Sequence, residues 1–140
     1  MDYATQESSF ELPSGFGDAS INRLVYKRPT GDTLVMVSRL PSQGKTLEQA
    51  TTARLRDQQR ALAYFELGQR SERQVAGAPA SDVSLFYSDK DRKNYQRSAS
   101  FLIRGTVIIL GVQGPAASRD EIDRIFEHAL GTLVFRQRGN

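Results

Sequence analysis

Two runs of consecutive apolar residues, Leu34-Val35-Met36-Val37 and Val107-Ile108-Ile109-Leu110, constrain this chain more than any other feature. Both are rich in β-branched residues and read as strands. Side chains alternate between the faces of a sheet, so a run of four puts apolar groups on both. An antiparallel sheet with one wet face would alternate apolar and polar residues instead. Two helices can cover one face, so a second subunit or an apolar ligand is expected over part of the other. Neither run approaches the roughly 18 residues that cross a bilayer, and no membrane insertion is expected.

The remaining elements follow from turn chemistry and periodicity. Ser9 to Leu12 reads as a short strand ended by Pro13-Ser14-Gly15. Ile21 to Lys27 and Thr33 to Arg39 form a predicted hairpin about Pro29-Thr30-Gly31-Asp32. Thr46 and Gln49 make a capping box, and the absence of Gly and Pro beyond it predicts a helix from Leu47 to about Tyr64, with a stripe of Leu47, Thr51, Leu55 and Leu62. Phe65 to Val75, Val83 to Tyr87, Asn94 to Ile103 and Thr106 to Gln113 read as an antiparallel series, broken at Ala76-Gly77-Ala78-Pro79, at Asp89 to Lys93 and at Arg104-Gly105. Ser118 and Glu121 repeat the capping-box pattern. Ile122, Ile125, Phe126, Ala129, Leu130 and Leu133 then make a helical stripe that Gly131 should end. The fold class is α+β, a mostly antiparallel twisted sheet with two α-helices, and residues 1–140 form a single domain.

Composition removes several function classes. With no cysteine there is no disulfide framework, no thiol nucleophile and no Cys-type zinc site. Asp2, Glu7, Glu11 and Asp18 stand in the first 20 residues without a Lys or Arg, the wrong charge for a secretory leader, so no export signal is expected and the predicted compartment is the cytoplasm. The net charge of +3 comes from arginines scattered along the chain, which read as a solvated surface. His128, the lone histidine, falls off the apolar stripe of its helix and reads as a surface residue rather than a metal ligand. Glu66, Glu72, Asp82, Asp89 and Asp91 fall at predicted strand ends and turns, where carboxylates are ordinarily solvated. No glycine-rich phosphate loop opens a helix. Lys90, Arg92, Lys93 and Arg97 surround Tyr95, but Asp89 and Asp91 interleave with them and blunt any attraction for phosphate. No enzymatic activity, metal, cofactor or nucleic-acid partner is expected.

Phe10-Glu11-Leu12-Pro13, Asp18-Ala19-Ser20-Ile21-Asn22 and Ser38-Arg39 come in an order and spacing continued by Leu47, Leu55, Leu62, Phe65-Glu66-Leu67, Gly77, Phe101 and Leu133-Val134-Phe135-Arg136. In this the whole chain resembles the DcrB-related family, and within it the Eag chaperones of bacterial type VI secretion. The resemblance implies a homodimeric cytoplasmic adaptor without catalytic activity. It would shield the hydrophobic N-terminal helices of a secreted PAAR/Rhs effector before loading on the spike, gripping them on an open sheet face through apolar and Ser/Gln side chains. Ile21 and Ser38 match that surface. Arg23, Leu34, Arg54 and Ala99 stand where those chaperones carry an apolar residue, a serine and two glutamines. Strand parity adds Met36 to the face of Leu34 and Ser38. Ala99 is expected there as a small residue that admits a helix backbone, and Arg54 as a polar contact to the client. The alternative is a ligand- or protein-interaction domain of the related Mog1/PsbP-like architecture, also without catalysis.

Overall fold

The structure, a computed structural model, describes residues 20–26 and 33–132, the first segment by its backbone alone. The predicted strand at Ser9 to Leu12, the turn at Pro29 to Asp32 and the motif Leu133 to Arg136 lie outside the described residues.

Six strands form one antiparallel sheet: β1 (Ser20–Tyr26), β2 (Thr33–Pro41), β3 (Ala63–Val75), β4 (Ala78–Asp89), β5 (Arg92–Ile103) and β6 (Thr106–Pro115), in the spatial order β1-β2-β6-β5-β4-β3. The predicted hairpin is present, with Ser20 opposite Arg39 and Tyr26 opposite Thr33. Strands β3 to β6 run as a meander through three two-residue turns, Ala76-Gly77, Lys90-Asp91 and Arg104-Gly105, each with both residues at positive φ. That turn geometry matches the right-handed twist of the strands it joins. Pairing of β2 with β6 unites hairpin and meander.

Helix α1 (Leu47–Ala61) starts where the capping box places it: the Gln49 amide donates to Thr46 Oγ1 at 3.1 Å, and the Thr46 amide donates to Gln49 Oε1 at 3.0 Å. It ends three residues before the predicted Tyr64. Leu62 is already extended and Ala63 pairs with Ser88, so sheet pairing competes successfully with the last helical turn. Tyr64 falls at an irregularity of β3 with φ 54° and is 86% exposed. A second irregularity at Gly68 needs glycine, because a Cβ there would lie 2.7 Å from Ser84 Oγ. Helix α2 (Arg119–Gly131) has its predicted extent, but Ser118 makes no capping hydrogen bond. It closes a 3₁₀ turn over Ala116–Ser118, and its backbone is not extended as a capping residue requires.

The two helices do not share a face. Helix α2 buries Ile122, Phe126 and Leu130 against Val35 and Val37 of β2, Ile108, Leu110 and Val112 of β6, and Tyr95, Ala99 and Phe101 of β5. Helix α1 lies on the opposite face, over β3, β4 and β5. There Thr51 is buried, with its hydroxyl donating to the Leu47 carbonyl at 2.8 Å, while Leu47, Leu55 and Leu62 are half-buried. Because α1 stops short of β2, the β2 run is covered on the α2 side and only partly on the other, whereas the β6 run is buried on both faces.

Candidate functional site

Strand β2 registers this asymmetry residue by residue. Val35, Val37 and Arg39 are buried, whereas Leu34, Met36 and Ser38 are half-buried on the face that carries α1. Register extends these three into rows across the sheet. Ser38 pairs with Ile109, which pairs with Ser100; Met36 leads through Gly111 to Ser98; Leu34 leads through Gln113 to Gln96. The rows run from the open part of the face to the flank of α1 and form the floor of a trough. Gly111 leaves that floor without a side chain in the middle row.

A chain of polar side chains forms the seam between helix and floor. Arg54 Nη2 donates to Ser98 Oγ at 3.0 Å and Ser100 Oγ at 3.4 Å, and Nη1 donates to Gln58 Oε1 at 3.2 Å. Gln58 Nε2 donates to Gln96 Oε1 at 2.9 Å, and Gln96 Nε2 to Gln113 Oε1 at 2.8 Å. Burial, followed by the like charge of Arg70, pushes the Arg54 guanidinium down to about 10. Two depressions open along the seam. One, of about 280 Å³, is bordered by Leu40, Ala53, Arg54, Ser100, Val107 and Ile109. The other, of about 360 Å³, is bordered by Met36, Arg54, Gln58, Leu62, Gln96 and Gln113. Such a surface can hold an apolar segment and satisfy a few polar groups on it.

Of the site residues predicted from sequence, the structure brings Leu34, Met36, Ser38 and Arg54 together. Ile21 and Arg23 stand opposite Ser38 and Met36 in the register, and their side chains lie outside the description. Ala99 is a correction. It pairs with Leu110, is 0% exposed and belongs to the core beneath α2, so it cannot admit a client on the trough face. Its neighbours Ser98 and Ser100 lie on the trough face instead, buried and bonded to Arg54. Sequence reasoning also missed Gln96, Ile109, Gly111 and Gln113. A readable signal existed for part of this, since Gln96, Ser98 and Ser100 alternate along one face of a strand.

The arginines are not a uniformly solvated surface. Arg39 is fully buried, and Arg97 sits at the centre of an ion-pair network on the α2 side. Arg97 binds Asp82, Asp123 and Glu127; Arg73 binds Asp82 and Glu127; the Tyr95 hydroxyl donates to Asp123 Oδ1 at 2.7 Å. Asp82 therefore departs from its predicted place among solvated strand-end carboxylates: it lies within β4, 6% exposed. With Arg97 and Tyr95 turned to α2, the basic residues of the β4–β5 hairpin do not form one patch. His128 is exposed, and among the described residues no group of three His, Cys, Asp or Glu side chains could hold a metal.

Comparison with known proteins agrees with the geometry at the level of fold. The family model DcrB matches residues 7–132. A Pseudomonas aeruginosa protein of unknown function, PA94, superposes with a TM-score of 0.77 at 23% identity, over 96% of both chains. LpqN of Mycobacterium tuberculosis, involved in cell envelope biogenesis, superposes with a TM-score of 0.54 at 14% identity over 84% of each chain. The PsbP protein of Synechocystis sp. PCC 6803 gives a TM-score of 0.49 at 17% identity, over 84% of this chain and 80% of that one. No protein of curated function is significantly similar in sequence.

Proposed function

This chain belongs to the DcrB family, and from that premise we propose that it is a type VI secretion effector chaperone. It holds the apolar N-terminal helices of a PAAR-domain effector until the effector is loaded on the spike. The observation that carries this reading is the trough: a sheet face left partly open at β2, where Leu34, Met36 and Ser38 are half-buried beside half-buried Gln113, with Ile109, Ser98 and Ser100 buried along its inner edge. The chemistry suits the task. A helix of some 20 apolar residues left in water forfeits about 25 cal/mol for each Å² of apolar surface, and a trough that buries it removes the drive to aggregate. The half-buried Ser38 hydroxyl and Gln113 amide serve the occasional polar group of such a helix. The chaperone acts as a homodimer in the cytoplasm and carries out no chemical step on its client. Among the described residues no helix is long and apolar enough to cross a membrane.

Capture of a hydrophobic N-terminal effector fragment tests the reading. Met36→Asp would bury a carboxylate against an apolar client and should abolish capture while the protein stays folded. Changing Lys90 and Lys93, which lie away from the trough at the β4–β5 turn, to Ala should leave capture intact. Retention by folded Met36→Asp, or loss in the lysine variant, would overturn the assignment. Light scattering should give twice the 15.6 kDa chain mass; a monomer would count against the dimeric chaperone.

A further inference from the structure

Arg54 is a cation pressed against the sheet with no anion paired to it among the described residues. A guanidinium has five N–H donors. Here they meet three acceptors, the Gln58 amide oxygen and the Ser98 and Ser100 hydroxyls, all of them neutral. The Nε is sealed from solvent and has no hydrogen-bond partner among the described residues. The carboxylate one turn along α1, Asp57, is mostly exposed and is engaged by Arg60 at 3.3 Å. The other charge acting on Arg54 is that of Arg70, of the same sign.

The contrast with Arg97 is instructive, because this fold surrounds that guanidinium with three carboxylates. Arg54 receives none, yet it borders both depressions of the trough. A half-buried cation whose Nε is sealed from solvent and which has no counter-ion among the described residues costs stability that an uncharged side chain of similar size would not. The missing group is an anion; Leu40, Val107 and Ile109 on one side and Met36 and Leu62 on the other give it apolar walls, Lys45 adds a second cation to the first depression, and Asp57, which borders both, is held by Arg60.

We propose that Arg54 is the specificity-determining residue of the trough and takes the carboxylate of an Asp or Glu carried by the otherwise apolar helix bound there. This rests on the client-binding reading above and deepens it: the client is not uniformly apolar but carries one acid at the depth of Arg54. On an apolar segment such a carboxylate exchanges water for a charge-assisted hydrogen bond in a site of low polarity. A client with an uncharged residue there leaves the guanidinium desolvated with no counter-ion among the described residues.

The test uses the full chain and two lysine-flanked helical peptides that share an apolar sequence and differ only in one central residue, Glu or Gln, with binding read by fluorescence anisotropy. The parent should prefer the Glu peptide by about tenfold or more, the ratio expected when a hydrogen bond to a charged group is gained. Arg54→Gln should bind both peptides alike and, freed of a desolvated charge, should melt no lower than the parent. Equal affinities in the parent would overturn the carboxylate inference and leave client binding standing. Binding of neither peptide would overturn the client-binding reading itself. Free acetate that binds the parent alone and erases the Glu preference would mark a site for small anions, and would also overturn the inference.

Discussion

Arg97 and Asp82 meet diagonally across β5 and β4 as a two-pronged pair, Nε donating to Oδ1 and Nη2 to Oδ2, both at 2.8 Å. The same guanidinium lies 4.5 Å from the centre of the Phe126 ring, so one arginine joins two strands to the helix above them. Asp82→Asn keeps the size of the side chain but removes the charge and half of the fork. Arg97 retains Asp123 and Glu127, so the variant should lose about 2–3 kcal/mol rather than the full cost of an orphaned buried cation. Urea denaturation reads this directly, and a midpoint equal to the parent's would show the network to be dispensable.

Phe126 carries the α2 core. It is 0% exposed among Ile122, Leu130 and the sheet, and Phe126→Ala should destabilise by about 3–5 kcal/mol. Two residues on, exposed His128→Ala should stay within about 0.5 kcal/mol. Thermal melts of the two variants check the assignment of the buried stripe.

The β4–β5 turn is strained in a way the β5–β6 turn is not. Lys90 and Asp91 stand at φ 50° and 65°, whereas Gly105 takes the second positive-φ position of the Arg104-Gly105 turn. Replacing Lys90-Asp91 by Asn-Gly should stabilise by about 0.5–1 kcal/mol, raising the melting temperature by a few degrees. The same swap should leave the trough unaffected.

Alkaline pH separates Tyr95 from an ordinary phenol. Burial first, then its hydrogen bond to Asp123, raise its pKa above the usual 10.0. The folded state thus holds the proton when the unfolded state has released it. The resulting stability is complete below pH 10 and is lost as pH rises through the folded-state value. Tyr95→Phe should lose about 1 kcal/mol at neutral pH with its hydrogen bond, yet decline less than the parent above pH 10. Arg54 acts in the opposite sense, its lowered value adding stability as pH rises above about 10, but it is common to both proteins and cancels from the comparison. Urea midpoints at pH 8 and about 10.5 decide the matter, and parallel decline in both proteins would refute the role given to Tyr95.

The sequence by itself determined what is local. Thr46 and Gln49 are three residues apart, so their reciprocal hydrogen bonds need no other part of the chain. Arg104-Gly105 makes a tight turn from its own backbone preferences. Ile122, Phe126 and Leu130 share a face because the helix period alone aligns them.

Tertiary structure decided the rest. Parity within β5 was legible, but which parity faces the trough depends on how β5 pairs with β6 and β6 with β2, and a slip of one residue would exchange Ala99 for Ser98. The burial of Asp82 likewise required Arg97, fifteen positions away, to arrive beside it. Nor could either helix announce its side of the sheet. Both carry stripes that need an apolar floor, the strands offer one on each face, and only the path of the chain from β2 over to β3 lays α1 opposite α2 and leaves the trough open.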